Sequence, residues 1–308
     1  MDTFNEIDHQ FLFDQAFFIT LAVTIHLLML WLLKDKLSIV RSGTLFNMIR
    51  TTTTDDKTDG ENRVDEKRSM LYSAIFLGVI LAVGVTGFVH LLKIVTGAQI
   101  GFFLVTTQSL AFSIMMLGRF FPNHHRVVFA ISLCVSVLFG YIWHTFDNWI
   151  VADLTALCVS LIVLYSVARP VPILHLVSAS GAIILYDLWG VWGTSSVGGG
   201  AIVNIAQTMM ETRLPPMAFL CPTLPPMINN DFHSLLGLGD VVIPAYVTIT
   251  AAVYRLHWFV LGAYALGILG SGIILQHVSI GVPAMVPILP LMLVTLFLAG
   301  KYKKITFA

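Results

Sequence analysis

Leu235 to Val242 reads LLGLGDVV and sets one ionisable side chain, Asp240, just inside a long apolar segment. A second carboxylate, Asp187, stands in similar surroundings in ILYDLWG, Ile184 to Gly190, toward the end of an earlier apolar run. A charged side chain in hydrocarbon costs at least about 2.5 kcal/mol, so acids inside membrane segments are rare and mark functional sites by default. Two of them set the terms on which the rest of the chain is read.

The surroundings are unambiguous. Of 308 residues, 57% are hydrophobic and 11% charged, where a soluble domain carries about 25% charged residues. The composition predicts an all-α polytopic membrane protein. A helix needs about 20 mostly apolar residues to cross the hydrocarbon core, and nine runs meet that demand: Ala16 to Leu33, Leu71 to Leu92, Ala98 to Leu117, Val127 to Trp143, Trp149 to Val167, Val171 to Trp192, Leu235 to Tyr254, Trp258 to Leu275 and Pro283 to Ala299. The last is short and carries three prolines, which predicts a broken ninth helix. Two regions follow, an N-terminal four-helix region over 1–148 and a C-terminal five-helix region over 149–308.

Orientation comes from the basic residues, which cytoplasmic loops hold in excess. The first connection carries eight (Lys34, Lys36, Arg41, Arg50, Lys57, Arg63, Lys67, Arg68), the third Arg119 and Arg126, the fifth Arg169, the seventh Arg255, and the tail Lys301, Lys303 and Lys304. Against these fifteen, the opposite side holds only Lys93 and Arg213, which together make the 17 of the chain. A wrong span count would scramble that segregation. The N-terminus is expected on the lumenal side and the C-terminus in the cytosol.

Two connections are long. The stretch 42–69, with TTTTDDKTDGENRVDEKR at its centre, is polar and mixed in charge, so it reads as a disordered cytosolic loop. The stretch 193–234 carries Gly198 to Gly200 and then Pro215, Pro216, Pro222, Pro225 and Pro226, and it reads as irregular and mobile. The N-terminus, MDTFNEIDHQ, lacks the basic start of a secretory signal, so the first run is expected to be a retained span. Cys134 and Cys158 lie in apolar runs and Cys221 stands alone in the proline-rich loop, so neither a disulfide framework nor a metal-ligand spacing can be drawn. His26, His90 and His175 are scattered and read as packing residues. No metal and no cofactor are expected, and the neutral net charge gives no basic face for nucleic acid.

Span six runs toward the outer face and span seven returns. Asp187 lies about five residues before the end of the first and Asp240 about five after the start of the second, a depth of roughly 7 to 8 Å from one face. As antiparallel neighbours the two spans would bring the acids together. Gly239 and Gly237, one and three residues before Asp240, permit close helix contact. Two carboxylates in one low-dielectric site cannot both ionise readily, so the pair shares a proton. One then serves as general base toward a water and its protonated partner as general acid toward a carbonyl, with neither role assigned to one residue. That is the chemistry of peptide-bond hydrolysis.

These residues resemble a known family. Tyr186-Asp187, Gly237-Leu238-Gly239-Asp240 and Pro283-Ala284-Met285 are similar to the YD, GxGD and PAL motifs of the intramembrane aspartyl proteases, the signal peptide peptidase and presenilin family. The likeness is greatest to the signal peptide peptidase branch, in YDLWGVWGT and LGLGDVVIP, and covers Trp149 to Ala299. It implies nine spans, catalytic Asp187 and Asp240, and an active-site and substrate groove shaped by Tyr186, Gly237, Leu238, Gly239, Pro283, Ala284 and Met285. It also implies a cytosolic C-terminus, residence in the endoplasmic reticulum membrane, and signal peptides and type II membrane proteins as substrates; a homo-oligomer stays open. Met285 stands where the family has leucine, an exchange of similar apolar volume. Asp153 is read as the one other acid inside a span, an interfacial or supporting group near the outer face.

Other classes fail on their own motifs or stay as rivals. The H-E-x-x-H of a membrane metalloprotease is absent. The nearest approach to a rhomboid-type G-x-S-G serine, Ser178-Ala179-Ser180-Gly181, lacks the first glycine. An ion-coupled transporter or channel could use buried aspartates, yet the two halves show no internal repeat. An inactive relative acting as a binding scaffold would have no need of both acids. For a protease, a substrate helix must unwind before it is cut, and strand addition near Pro283 and the apolar MAFLC, Met217 to Cys221, would satisfy the freed backbone.

Overall fold

The computed structural model describes residues 9–34, 37, 98–145, 149–167, 171–193, 218–223, 232–277 and 283–305. Eight helices and one hairpin lie in these stretches: α1 (His9–Leu32), α2 (Ala98–Phe120), α3 (His125–Thr145), α4 (Trp149–Val167), α5 (Ile173–Leu188), β1 (Ala218–Pro222), β2 (Phe232–Gly237), α6 (Gly239–Val253), α7 (His257–His277) and α8 (Met285–Tyr302). All but α6 are, with α5 counted through Trp192, long and apolar enough to cross a membrane, seven in total among the described residues; α6, with 15 residues, is shorter. The chain is a multi-pass membrane protein. The run Leu71 to Leu92 lies outside the described residues, as do the loop 42–69 and His90.

Two expectations are corrected. The run Leu235 to Tyr254 is not one helix, because Leu235 to Gly237 close an antiparallel strand and the helix starts only at Gly239. Asp240 is therefore its second residue instead of lying a turn and a half inside. The loop 193–234 is not wholly irregular either. Its residues Ala218–Pro222 pair with β2 in the register Ala218↔Gly237, Phe219↔Leu236, Leu220↔Leu235 and Cys221↔Ser234, with an irregularity at Cys221/Pro222.

The described residues fall into two compact units. Those within Met1–Ile25, His90–Val167 and Ile202–Val242 form the first, and those within His26–Val89, Ala168–Ala201 and Ile243–Ala308 the second. In the first unit α3 turns the buried small residues Ser132, Ser136 and Gly140 toward α2. A Cβ at Gly140 would collide with the Thr106 hydroxyl and lie 3.1 Å from the Phe102 ring, so the small residue is what admits close helix contact. The opposite face of α3, with Phe129, Ile131, Val135, Leu138 and Tyr141, is exposed apolar surface suited to lipid. Helix α4 packs against α2 and along β1, and its Thr155 and Ser160 hydroxyls return to the carbonyls of Val151 and Ala156, at 2.8 Å each, which keeps polar groups satisfied inside an apolar helix. Phe17 of α1 meets Trp149 of α4 edge to face at 6.1 Å.

In the second unit α8 packs on α7 and on α5. The stripe Val260, Leu261, Tyr264, Gly267 and Ile268 of α7 is buried, as are Met285, Ile288, Leu289, Met292 and Leu296 of α8. A Cβ at Gly267 would sit 2.9 Å from the Ile288 Cα, whereas at Gly270 nothing among the described residues lies within 4 Å. Gly267→Ala is accordingly expected to lower stability by about 1–3 kcal/mol through overpacking. Thermal unfolding in detergent checks this, with Gly270→Ala expected to be neutral or slightly stabilising. His26 is buried and stacks on Tyr264 at 4.5 Å, with Nδ1 3.2 Å from the Thr248 hydroxyl, so it is a packing residue. His175 lies exposed on α5.

Pro287 falls in the first turn of α8, where an N–H lacks a helical acceptor in any case. Pro290 lies further inside, and the helix continues to Tyr302.

Candidate active site

Asp187 is the last residue but one of α5. The winding then widens: Trp189–Gly193, WGVWG, forms a π-helical turn, a form that is frequent at functional positions. The Trp189 N–H reaches the carbonyls of Leu185 and Tyr186, and the Tyr186 and Trp189 rings lie 6.3 Å apart. The Asp187 carboxyl does not point along its own helix. Its Oδ2 accepts the N–H of Met285 at 2.9 Å.

Met285 opens α8, and the preceding Ala284 offers no side-chain cap. The first N–H groups of a helix have no partner within it, so Asp187 supplies from α5 the acceptor that α8 lacks. The positive end of α8 faces that carboxyl as well, an arrangement that favours an acidic acceptor. The structure thus brings the YD and PAM motifs together by a specific bond. Pro283 and Met285 are buried and Ala284 is partly so.

Asp240 lies in the first turn of α6, directly after the hairpin. Leu238 starts that helix: its carbonyl accepts the N–H of Val242 at 2.9 Å and of Val241 at 3.2 Å. Gly237 closes β2, and a Cβ there would stand 2.9 Å from Asp240 Oδ2 and 3.6 Å from its Cγ. The glycine does not serve helix contact, as its spacing suggested; it leaves the room in which the Asp240 carboxyl sits. Four residues on, Pro244 has no N–H to give to the Asp240 carbonyl.

The hairpin ahead of Asp240 is fastened by two further acids of the first unit. Asp153 of α4 is 8% exposed, and its Oδ1 accepts the N–H of Leu220, the middle residue of β1, at 2.7 Å. Asp14 of α1 is 4% exposed. Its Oδ1 accepts from Gln10 Nε2 at 2.7 Å and from the Cys221 thiol at 3.3 Å, and its Oδ2 from the Ser234 hydroxyl at 2.7 Å. Gln10 Nε2 also donates to the Pro222 carbonyl at 3.2 Å. Burial, and next the bond to Asp14, push the Cys221 thiol above its usual range, so it stays protonated and donates. Asp153 is therefore not the only additional acid on an apolar helix. Asp14 joins it because α1 begins at His9 and not at Ala16.

All three cysteines are free. Among the described residues no group of three or more His, Cys, Asp or Glu side chains could hold a metal ion.

An assembly of apolar helices with acids at the ends of two of them, one capping a proline-rich helix and the other following a glycine turn, defines a membrane-embedded protein. The sequence profile of the signal peptide peptidase family matches residues 4–305, and the chain belongs to that family, which makes it an intramembrane protease. Comparison with curated proteins gives no significant match.

Proposed function

We propose that the protein is an aspartyl protease in which Asp187 and Asp240 form one catalytic dyad, cutting single-span segments such as signal peptides and type II membrane proteins. What supports this reading is that each acid is served by its own motif: Asp187 takes the backbone N–H of the PAM methionine, and Asp240 sits in the space that the first glycine of GLGD leaves open. The dyad holds a single proton, because like charges at close range in a poorly solvated site cannot both persist. Its ionised member draws a proton from water while the oxygen attacks the scissile carbonyl carbon. The protonated member gives its proton to the carbonyl oxygen, producing a gem-diol. Breaking of the C–N bond then passes a proton to the leaving nitrogen, and an acid and an amine depart. Tyr186, Leu238 and Pro283 to Met285 shape the surrounding groove.

The topology that goes with this reading has nine spans, a lumenal N-terminus and a cytosolic C-terminus, in the endoplasmic reticulum membrane. The unwound substrate binds as an added strand. MAFLC is not the receiving edge, since β1 is buried throughout, lies against α4 and has its central N–H taken by Asp153. Antiparallel pairs alternate between bonded and non-bonded, so the outward Leu220 N–H fixes Leu235 and Gly237 as the β2 residues whose backbone groups face away from β1. Leu235 is 43% exposed. That edge leads straight into Asp240.

Purified protein in liposomes is expected to cleave a single-span reporter, and a peptide isostere carrying a hydroxyl in place of the scissile carbonyl is expected to block it. Undiminished cleavage at saturating isostere, or aspartate-dependent ion flux without proteolysis, would count against the proposal.

A further inference from the structure

The two buried acids Asp14 and Asp153 have no part in the proposed bond-breaking, yet both spend their carboxyl oxygens on one small hairpin. Asp153 reaches from α4 to the backbone of β1 at Leu220. Asp14 reaches from α1 to Cys221 and Ser234, which face each other across the ladder, so one carboxylate ties β1 to β2 at a single rung. Gln10, one turn before Asp14, adds the carbonyl of Pro222. A buried carboxyl group is tolerated only when it is hydrogen-bonded, and leaving its backbone and hydroxyl donors unpaired is costly. Packing alone would have been served by apolar side chains.

The consequence lies in register. A two-stranded ribbon is marginal by itself, and strands with little to pin them slip. Asp240 is held in the first turn of α6, so a displacement of β2 along its axis relative to that helix alters which peptide bond of an added strand faces the acid. We propose that Asp14 and Asp153 are positioning residues that fix the hairpin against α1 and α4 and thereby set the bond at which a substrate is cut. This rests on the strand-addition reading given above. Slippage by one residue would turn every substrate side chain to the opposite face, so errors come in steps of two.

The test reads cleavage positions, which a merely structural role would not move. A reporter is cut in liposomes by wild type, Asp153→Ala, Asp153→Asn and Ser234→Ala. Products are mapped by mass spectrometry, and active enzyme is counted by titration with the hydroxyl isostere. In Asp153→Ala the ratio of products displaced by two residues to the main product is expected to rise about tenfold, the weight of one buried hydrogen bond. Asp153→Asn keeps an acceptor oxygen for the Leu220 N–H and should restore the wild-type ratio. Ser234→Ala removes one hydroxyl at a half-buried position and should give a smaller rise in the same direction, which preserves the test if Asp153→Ala does not fold. Product ratios unchanged in every folded variant would overturn the inference. Asp240→Asn run in parallel separates the two readings. Continued cleavage there would sink the dyad, whereas a dead Asp240→Asn beside unshifted products would sink only the positioning role.

Discussion

Asp187→Ala and Asp240→Ala are each expected to cut turnover of a membrane reporter by more than about 10³-fold, because a general acid or base supplies roughly 10²–10⁴ of rate and the members of the proposed dyad would act as one unit. The pair should differ in what else it loses. Asp187 accepts the Met285 N–H that starts α8, so alanine removes the cap as well as the chemistry, at about 1 kcal/mol of stability. Asp187→Asn leaves an oxygen in the same place. It should be as inactive as the alanine variant while unfolding at the wild-type temperature. Reporter cleavage together with Tm of the four Ala and Asn variants separates the catalytic loss from the structural one; substantial turnover in any of them would contradict the assignment.

The second large effect falls on a residue with no chemistry of its own. Gly237→Ala places a methyl 2.9 Å from Asp240 Oδ2, with nothing but that carboxyl within 4 Å among the described residues. The obstacle is the end of a rotatable side chain, so the fold yields cheaply and the carboxyl is what moves. A displacement of about 1 Å at a reacting group can cost about 10²-fold in rate. The expected outcome is therefore a kcat loss of that order with a Tm close to wild type. A matching fall in Tm would assign the glycine to packing, and unaltered kcat would mean that the Asp240 carboxyl needs no such room.

Much of the fold is legible as hydrophobic length, and the failures are instructive. Trp149–Val167 is read to the residue because Trp149 and Arg169 bracket an apolar run that Asp153 alone interrupts with a charge. At α1 the same reading stops at Ala16, since Asp14 and Gln10 look like the end of a span. The helix runs on to His9 because those polar groups bond to the hairpin instead of to water. Apolar length cannot tell a strand from a helix over a few residues. Hence Leu235 to Gly237 is absorbed into a span, and Ala218–Pro222 is hidden between prolines.

The site was legible in its motifs and opaque in its bonds. Asp187 and Asp240 stand out as acids in apolar runs. The contact of Asp187 with Met285, 98 residues away, goes through a backbone N–H that no side-chain pattern reports. Gly237 stands out in the sequence as a small residue suited to close helix contact, but the geometry gives the space to the Asp240 carboxyl. Asp14 gave one usable sign, its place four residues after Gln10 ahead of a run of phenylalanines, where a helix extended by a turn would set both on one face.

In the proposed mechanism the carboxyls of Asp187 and Asp240 act on one peptide bond. The most direct measurement is an experimental structure of the protein in lipid with the hydroxyl isostere bound, read for the distance from that hydroxyl to each carboxyl. Both are expected within hydrogen-bond reach, about 2.6–3.2 Å or one water further. A bound isostere whose hydroxyl lies beyond that reach of either acid would contradict it.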